Sequence, residues 1–254
     1  APPPGYHVEP VWLGDGEGRW RYYHARAYTM QLLGLDASLW PDTPIEIGKG
    51  DIFLGADFFP VGVMQANVAG LYDEWRARGV RIGFILYDLL PVVLPACFPP
   101  GSEAIHRDWL LAVAAKADDL VCISASVAEA AKKWLHASVG EDRTLPAIHA
   151  WALGADIDAS NPTKGIPENG QALLARLRGE DNFLMAGTIE PRQGHLQVLE
   201  AFDSLWAAGH EAHLVIVGNE GWKGVPPDQA RNLPAIIERL RSHPELGKRL
   251  IWLQ

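Results

Sequence analysis

Phe183-Leu-Met-Ala-Gly-Thr-Ile-Glu-Pro-Arg-Gln-Gly-His195 carries an apolar strand through a short glycine-flanked turn into a helix. Four apolar residues ending at Gly187 read as a buried strand. Pro191 near the start of the next segment, and Gly209 beyond its end, predict a helix over 190–208. Leu214-Val-Ile-Val-Gly218 is a second strand of the same make. A helix over 228–242, restarting near Pro234, leads to a third strand over 250–253, and a short helix over 172–178 precedes the set. Strand–helix alternation at this spacing specifies a parallel sheet covered by helices, and near-continuous apolar strands imply burial on both faces.

The same alternation runs through the first half. Asp51-Ile-Phe-Leu-Gly-Ala56 is a strand, a helix over 67–78 stops at Gly79, and a strand covers 80–87. A loop punctuated by Pro and Gly over 91–101 leads to a helix over 102–116 and a strand over 120–123. Ser126-Val-Ala-Glu129 has the capping-box pattern that opens a helix, here running to about 136. A strand follows over 147–153. The first fifty residues, rich in Gly, Pro and aromatics, suggest a strand over 7–13 and a helix over 20–33 ending at Gly34. The polar stretch 158–170, with Pro162, Gly165, Pro167 and Gly170, places a domain boundary: one unit over 1–160 and a second over 161–254.

Composition narrows the function. The chain has 254 residues, 48% hydrophobic and 21% charged, which suits a packed globular protein. A net charge of -9 with no Lys/Arg cluster argues against nucleic acid as a partner. Cys97 and Cys122 lack metal-ligand spacing and read as reduced thiols of a cytosolic protein. No apolar run nears the ~20 residues of a membrane span. The chain starts at Ala1 rather than Met, and the second unit shows three strands before an apolar end, so we expect the natural protein to extend beyond both ends. Most of the ten tryptophans are expected to pack in the core, a minority to stack on sugar rings.

In open parallel sheets ligands bind beyond the carboxyl ends of the strands. Those positions are Asp57, Asp88, Ser124 and Gly154-Ala-Asp156 in the first unit, and Thr188 to Arg192 and Asn219 to Trp222 in the second. The turn between strand and helix at 186–195 offers backbone N–H groups and a helix dipole to a phosphate, with Arg192 as a bidentate partner. An ordinary connecting turn with a surface arginine has the same residues. Gly218-Asn-Glu-Gly221 suits a base or ribose, or merely reverses the chain. Asp88 in Tyr87-Asp-Leu-Leu-Pro91 serves either as acceptor-hydroxyl ligand or base, or as an Asx-type turn before Pro91. Ser124 and Ser126 are best read as helix starters. Asp156-Ile-Asp158 spells D-x-D, but at a domain boundary, and no metal site is assigned to it.

These motifs together resemble bacterial members of glycosyltransferase family 4. The resemblance rests on Gly187 to His195, Leu214 to Gly218 and Gly221-Trp222 in the second half. In the first it rests on Tyr87 to Pro91, Phe98-Pro99, Ala117-Asp118 and Val121 to Ser124, and at the crossing on Leu153-Gly-Ala-Asp-Ile157. It implies an α/β fold of GT-B type, with two Rossmann-like doubly wound domains, the second cut short here. It implies a retaining hexosyl transfer, mannosyl foremost, with a GDP- or UDP-sugar donor as substrate and no obligatory cofactor or metal. The acceptor would be a glycan or lipid-linked sugar, which would put the protein in the cytoplasm or on the cytoplasmic face of the inner membrane. Gly187, Thr188 and Arg192 would face the donor diphosphate, with Gln193 beside them. Gly218, Asn219 and Glu220 would lie near the nucleoside, and Asp88 near the transferred sugar or acceptor.

Two departures bear on activity. The family usually carries Lys where this chain has Gln193, and an amide donates a hydrogen bond without neutralising a leaving diphosphate. The family's paired glutamates would follow residue 253, so we expect the 254 residues alone to be inactive. A non-catalytic nucleotide-sugar or glycan binding module is the alternative reading. A dehydrogenase or epimerase is disfavoured by the lack of G-x-G-x-x-G.

Overall fold

The computed structural model describes residues 4–16, 18–140, 143–154 and 170–254. The D-x-D at Asp156 and Asp158, and nearly all of the polar boundary stretch, lie outside them. The chain forms two compact units, one of Ala1–Leu89 with Ala104–Leu153, the other of Leu90–Glu103 with Gly154–Gln254.

The first unit opens with an antiparallel hairpin, β1 (Val11–Gly16) and β2 (Arg19–His24), followed by α1 (Arg26–Leu32). The helix expected over 20–33 is thus a strand in its first part. Tyr22 is the cause: it is buried against Phe53 and Trp75, with ring centroids 4.7 and 5.3 Å away. Packing of aromatic residues on a pleated surface outweighs their weak helix propensity. After β3 (Ile52–Gly55), the single helix expected over 67–78 is two, α2 (Pro60–Val68) and α3 (Leu71–Ala77). They part at Gly70, whose φ of 79° breaks the helical run.

β4 (Arg81–Leu86) follows, then the short α4 (Leu90–Val93), whose residues belong to the second unit, and, with the chain returning to the first unit at Ala104, α5 (Ser102–Lys116), β5 (Asp119–Cys122), α6 (Ala125–Val139) and β6 (Ala147–Ala150). Ser124, not Ser126, caps α6, its hydroxyl accepting from the Val127 N–H at 3.2 Å. The four strands β3-β4-β5-β6 pair in that order, all parallel. β4 is buried from Ile82 to Leu86 on both faces, as its unbroken apolar run requires. Tyr22 and Tyr72 share a buried hydroxyl contact of 3.0 Å, and burial pushes the Tyr22 phenol up to about 12.

At the amino end of β5, Asp119 accepts from Arg81 Nε and Nη2 at 2.5 and 2.8 Å and contacts His149 Nε2 at 2.8 Å. The Arg81 hydrogen bond, with help from His149, lowers the Asp119 carboxyl to about 2. This ties neighbouring strands β4, β5 and β6 at one edge.

The second unit contains α7 (Gly170–Leu177), β7 (Asn182–Ala186), α8 (His195–Ala207), β8 (His213–Val217), α9 (Leu233–Arg241) and β9 (Leu250–Leu253), with parallel order β7-β8-β9. The helix expected from 190 begins at His195. Pro191–Gln193 form a 3-10 turn that ends at Gly194, where φ is 74°. Leu199, Phe202 and Trp206 of α8, Ile236, Ile237 and Leu240 of α9, and Leu214 and Ile216 of β8 make the core. β7 departs from burial on both faces: among the described residues it pairs only with β8, and Phe183 and Leu184 are exposed.

Beyond the strand ends the β7–β8 pairing continues. Gly187 N–H donates to the Val217 carbonyl at 2.9 Å, Ile189 N–H to Asn219 at 2.9 Å, and Gly221 N–H back to Ile189 at 3.1 Å. Gly218 N–H joins β9 through the Leu253 carbonyl at 2.8 Å. A Cβ on Gly218 would lie 1.8 Å from the Gly187 carbonyl oxygen, so only glycine lets these two turns meet.

Two outcomes are expected from this packing. Gly218→Ala should cost about 2–3 kcal/mol, roughly 5–10 °C in melting temperature, whereas Gly48→Ala, which meets nothing within 4 Å, should be neutral by the same calorimetry. Asp119→Asn should cost about 1 kcal/mol at neutral pH, because the Arg81 partner is largely exposed and water screens the pair. A depressed carboxyl stabilises the fold above its unfolded value of about 4. The gap between wild type and Asp119→Asn in urea unfolding should therefore shrink as pH falls from 4 towards 2.

Candidate functional site

The two glycine turns bring several of the predicted residues together. Gly187, with φ 144°, and Gly218 are stacked backbone to backbone, and Thr188 N lies 3.4 Å from the position a Gly218 Cβ would take. The Gln193 side-chain amide lies over Gly187, 3.9 Å from where its Cβ would stand. Asn219 supplies the carbonyl that anchors Ile189, which leaves its side chain to the cleft beyond.

That cleft is an open cavity of about 580 Å³ at the carboxyl ends of β8 and β9. Asn219, Glu220, Trp222, Lys223, Arg241 and Gln254 line it, over an apolar floor from α9 that includes Leu233 and Ile237. Its size suits a small organic ligand such as a nucleoside. Trp222 takes a φ of 50°, uncommon for a bulky residue, right after Gly221. Gly221 is itself compelled: a Cβ there would sit 2.5 Å from Glu190 Cγ. Glu220 forms an ion pair with Arg241 across the cleft wall.

Arg192 is held in place by its neighbours. Its guanidinium pairs with the Glu190 carboxylate, and its Cζ stands 5.3 Å from the centroid of the Phe98 ring. Glu190 is 8% exposed, so the pair is sheltered. The backbone ladder of α8 starts with Val198 N–H to the Gly194 carbonyl. The amides from His195 to Gln197 therefore have no acceptor in their own helix, the usual state of a helix amino terminus. His195 is 1% exposed and burial lowers its pKa, so its ring is neutral at neutral pH and supplies bulk rather than charge.

Asp88 lies in the first unit, just past the carboxyl end of β4. Its carbonyl accepts from His106 Nε2 at 3.2 Å, which defines the Nε2–H tautomer. Burial keeps the His106 ring below its ordinary pKa, against the pull of Asp88. The ring packs at a tilt against Phe58 and Trp109, with centroids 4.9 and 5.7 Å away, and those two rings also meet each other at 5.0 Å. Tyr87 Oη donates to the Ala56 carbonyl at 2.8 Å, and Asp57 closes on the Phe58 N–H at 2.8 Å. Asp57 thus acts in its own turn, and Ser124 in its cap.

Sequence reasoning missed Lys223 and Arg241 on the cleft wall and Phe98 on Arg192. Arg241 carries no local signal, since its place is set by where α9 docks. Trp222, adjacent to a glycine turn, was legible as part of a motif but not as a wall. No helix among the described residues is long and apolar enough to cross a membrane.

No family model matches the chain. It is 38% identical over 264 residues to the serotype-specific mannosyltransferase WbdA of Escherichia coli, a match covering 99% of this chain and 29% of that protein. A further WbdA from the same organism is 37% identical over 257 residues, again covering 99% and 29%. The chain thus spans less than a third of the length of these curated relatives. Among solved structures it is similar to alpha,alpha-trehalose 6-phosphate synthase from Burkholderia multivorans, with a TM-score of 0.50, 14% identity, and coverage of 90% of this chain and 49% of that one. Along 99% of its length the chain is similar to part of the WbdA mannosyltransferases, and its α/β fold is of the GT-B type.

Proposed function

We propose that this chain forms part of a hexosyltransferase that moves a mannosyl unit, with retention, from a nucleoside diphosphate sugar to a glycan or lipid-linked acceptor. Residues 1–160 would serve the acceptor and 161–254 the donor. The observation that carries the reading is the joined pair of glycine turns, one leading to the amino terminus of α8, the other into the cleft of about 580 Å³. Similarity to proteins named mannosyltransferase supports it.

On this reading the nucleoside occupies the cleft beside Asn219 and Glu220. The diphosphate lies against Gly187, Thr188 and Arg192, with Gly218 keeping the turns close. As the bond from the anomeric carbon to the diphosphate oxygen breaks, negative charge grows on the leaving group. Arg192 and the amino terminus of α8 stabilise it without a metal. Gln193 offers a hydrogen bond at the same place. Asp88 takes the proton, or a hydrogen bond, from the acceptor hydroxyl that attacks. A lipid-linked acceptor would place the work at the cytoplasmic face of the inner membrane.

One observation favours the second reading, a non-catalytic nucleotide-sugar or glycan binding module. Arg192 is already paired with Glu190, and Gln193 adds no charge, so little positive charge is available to a departing diphosphate.

Thermal unfolding with added ligand tests the reading, since a ligand of the folded state raises the melting temperature. GDP or UDP should raise it and NAD should not; a response to NAD alone would sink the proposal. Arg192→Ala should weaken diphosphate affinity about tenfold, in line with loss of a charge-assisted bidentate contact. Gln193→Lys should tighten it about threefold by adding a cation, a gain of the size of one partly exposed ion pair. Transfer of sugar by a protein that includes this chain separates enzyme from binding module.

A further inference from the structure

Leu90–Glu103 belongs to the second unit, although the residues up to Leu89 and from Ala104 belong to the first. Within the second unit two arginines grip this excursion. Arg231 Nε donates to the Phe98 carbonyl at 2.7 Å, and its Nη2 to the Pro95 carbonyl at 3.3 Å. Arg231 does so from a φ of 54°, a conformation a non-glycine residue adopts at a cost. The Phe98 ring then faces the Arg192 guanidinium at 5.3 Å, within the range of a cation–π contact.

The two neighbours of Arg192 act differently on its charge. Glu190 neutralises the guanidinium while it fixes it. The face of an aromatic ring attracts the cation and leaves its charge whole. A long side chain loses rotamer freedom when it binds an anion, and loses less if it is already held. A ring in contact with Arg192 therefore lowers the entropy cost of grasping a diphosphate without competing for it.

We infer that Phe98 is a positioning residue for the donor diphosphate: its ring holds the Arg192 guanidinium, and Arg231 holds Phe98. This rests on the reading of Arg192 as a diphosphate ligand. The excursion so contributes to the donor site a residue that lies far from it in sequence.

Calorimetric titration of the whole chain with GDP and UDP, and with guanosine and uridine as probes lacking phosphate, tests the inference. Phe98→Ala should weaken the diphosphate that the wild type binds by about two- to fivefold, the size of one cation–π contact. Phe98→Tyr should restore it, and Phe98→Leu, which keeps bulk but no ring, should not. Arg231→Gly suits the positive φ while removing the guanidinium, and should show the same loss. Nucleoside affinity should stay at the wild-type level in all four. The Leu and Tyr variants carry the test if Phe98→Ala does not fold. Wild-type affinity in Phe98→Leu, or a parallel fall in nucleoside affinity, overturns the inference. If Arg192→Ala loses diphosphate affinity while the Phe98 variants keep it, the inference fails alone. If Arg192→Ala also keeps it, or the wild type binds neither diphosphate, the reading of the site fails and the inference with it.

Discussion

The contact on which the second unit's candidate site depends is the approach of the Gly187 carbonyl to Gly218. It lets the β7–β8 hydrogen bonding run past the strands, through Gly187, Ile189 and Gly221. Ile189 is drawn into the core with no exposure, and its backbone bonds to Asn219 and Gly221 hold the two loops of the site together. A side chain at Gly218 would meet the carbonyl at 1.8 Å and force the turns apart. Backbone amides and carbonyls used in this ladder are fixed by sheet geometry rather than by flexible side chains, which pre-organises whatever binds beyond them.

The first unit is organised around a different constraint, the burial of rings. Tyr22 of the hairpin, Phe53 of β3, Tyr72 and Trp75 of α3 and Phe84 of β4 contact one another with centroids 4.7–6.3 Å apart. Such pairs contribute beyond their buried area. The hydroxyls of Tyr22 and Tyr72 satisfy each other, so this cluster leaves neither phenol without a partner. The hairpin is thereby fixed to the sheet whose carboxyl end presents Asp88.

Electrostatics at the candidate site are balanced rather than strongly positive. Arg192 meets Glu190 and Arg241 meets Glu220, in a chain whose net charge is -9. On the proposed reading, a diphosphate would draw one of these cations away from its carboxylate, or share it. On that reading the site would rely on helix amides, on a ring that holds Arg192 without neutralising it, and on the exclusion of alternative geometries by the glycine contact.

Much of the fold was legible because its signals are local. Apolar runs such as Leu214 to Val217, and Gly and Pro placed at helix ends, set nearly every strand of the two sheets and the full length of α5. The errors fell where distant packing decides. Trp20 to His24 has no period strong enough to choose strand over helix until Tyr22 finds Phe53 and Trp75. The helix expected at 190 starts at His195 because the pairing of Gly187 and Ile189 with the end of β8 holds the loop extended and Pro191–Gln193 turn as a 3-10 segment that ends at a left-handed Gly194. At the site, sequence picked out Gly187, Gly218 and Asn219, since glycine at strand ends is itself a statement about backbone space. It did not place Arg241 or Phe98. Their roles come from where α9 and the 90–103 excursion dock, and docking is settled by contacts between residues that are far apart in the chain.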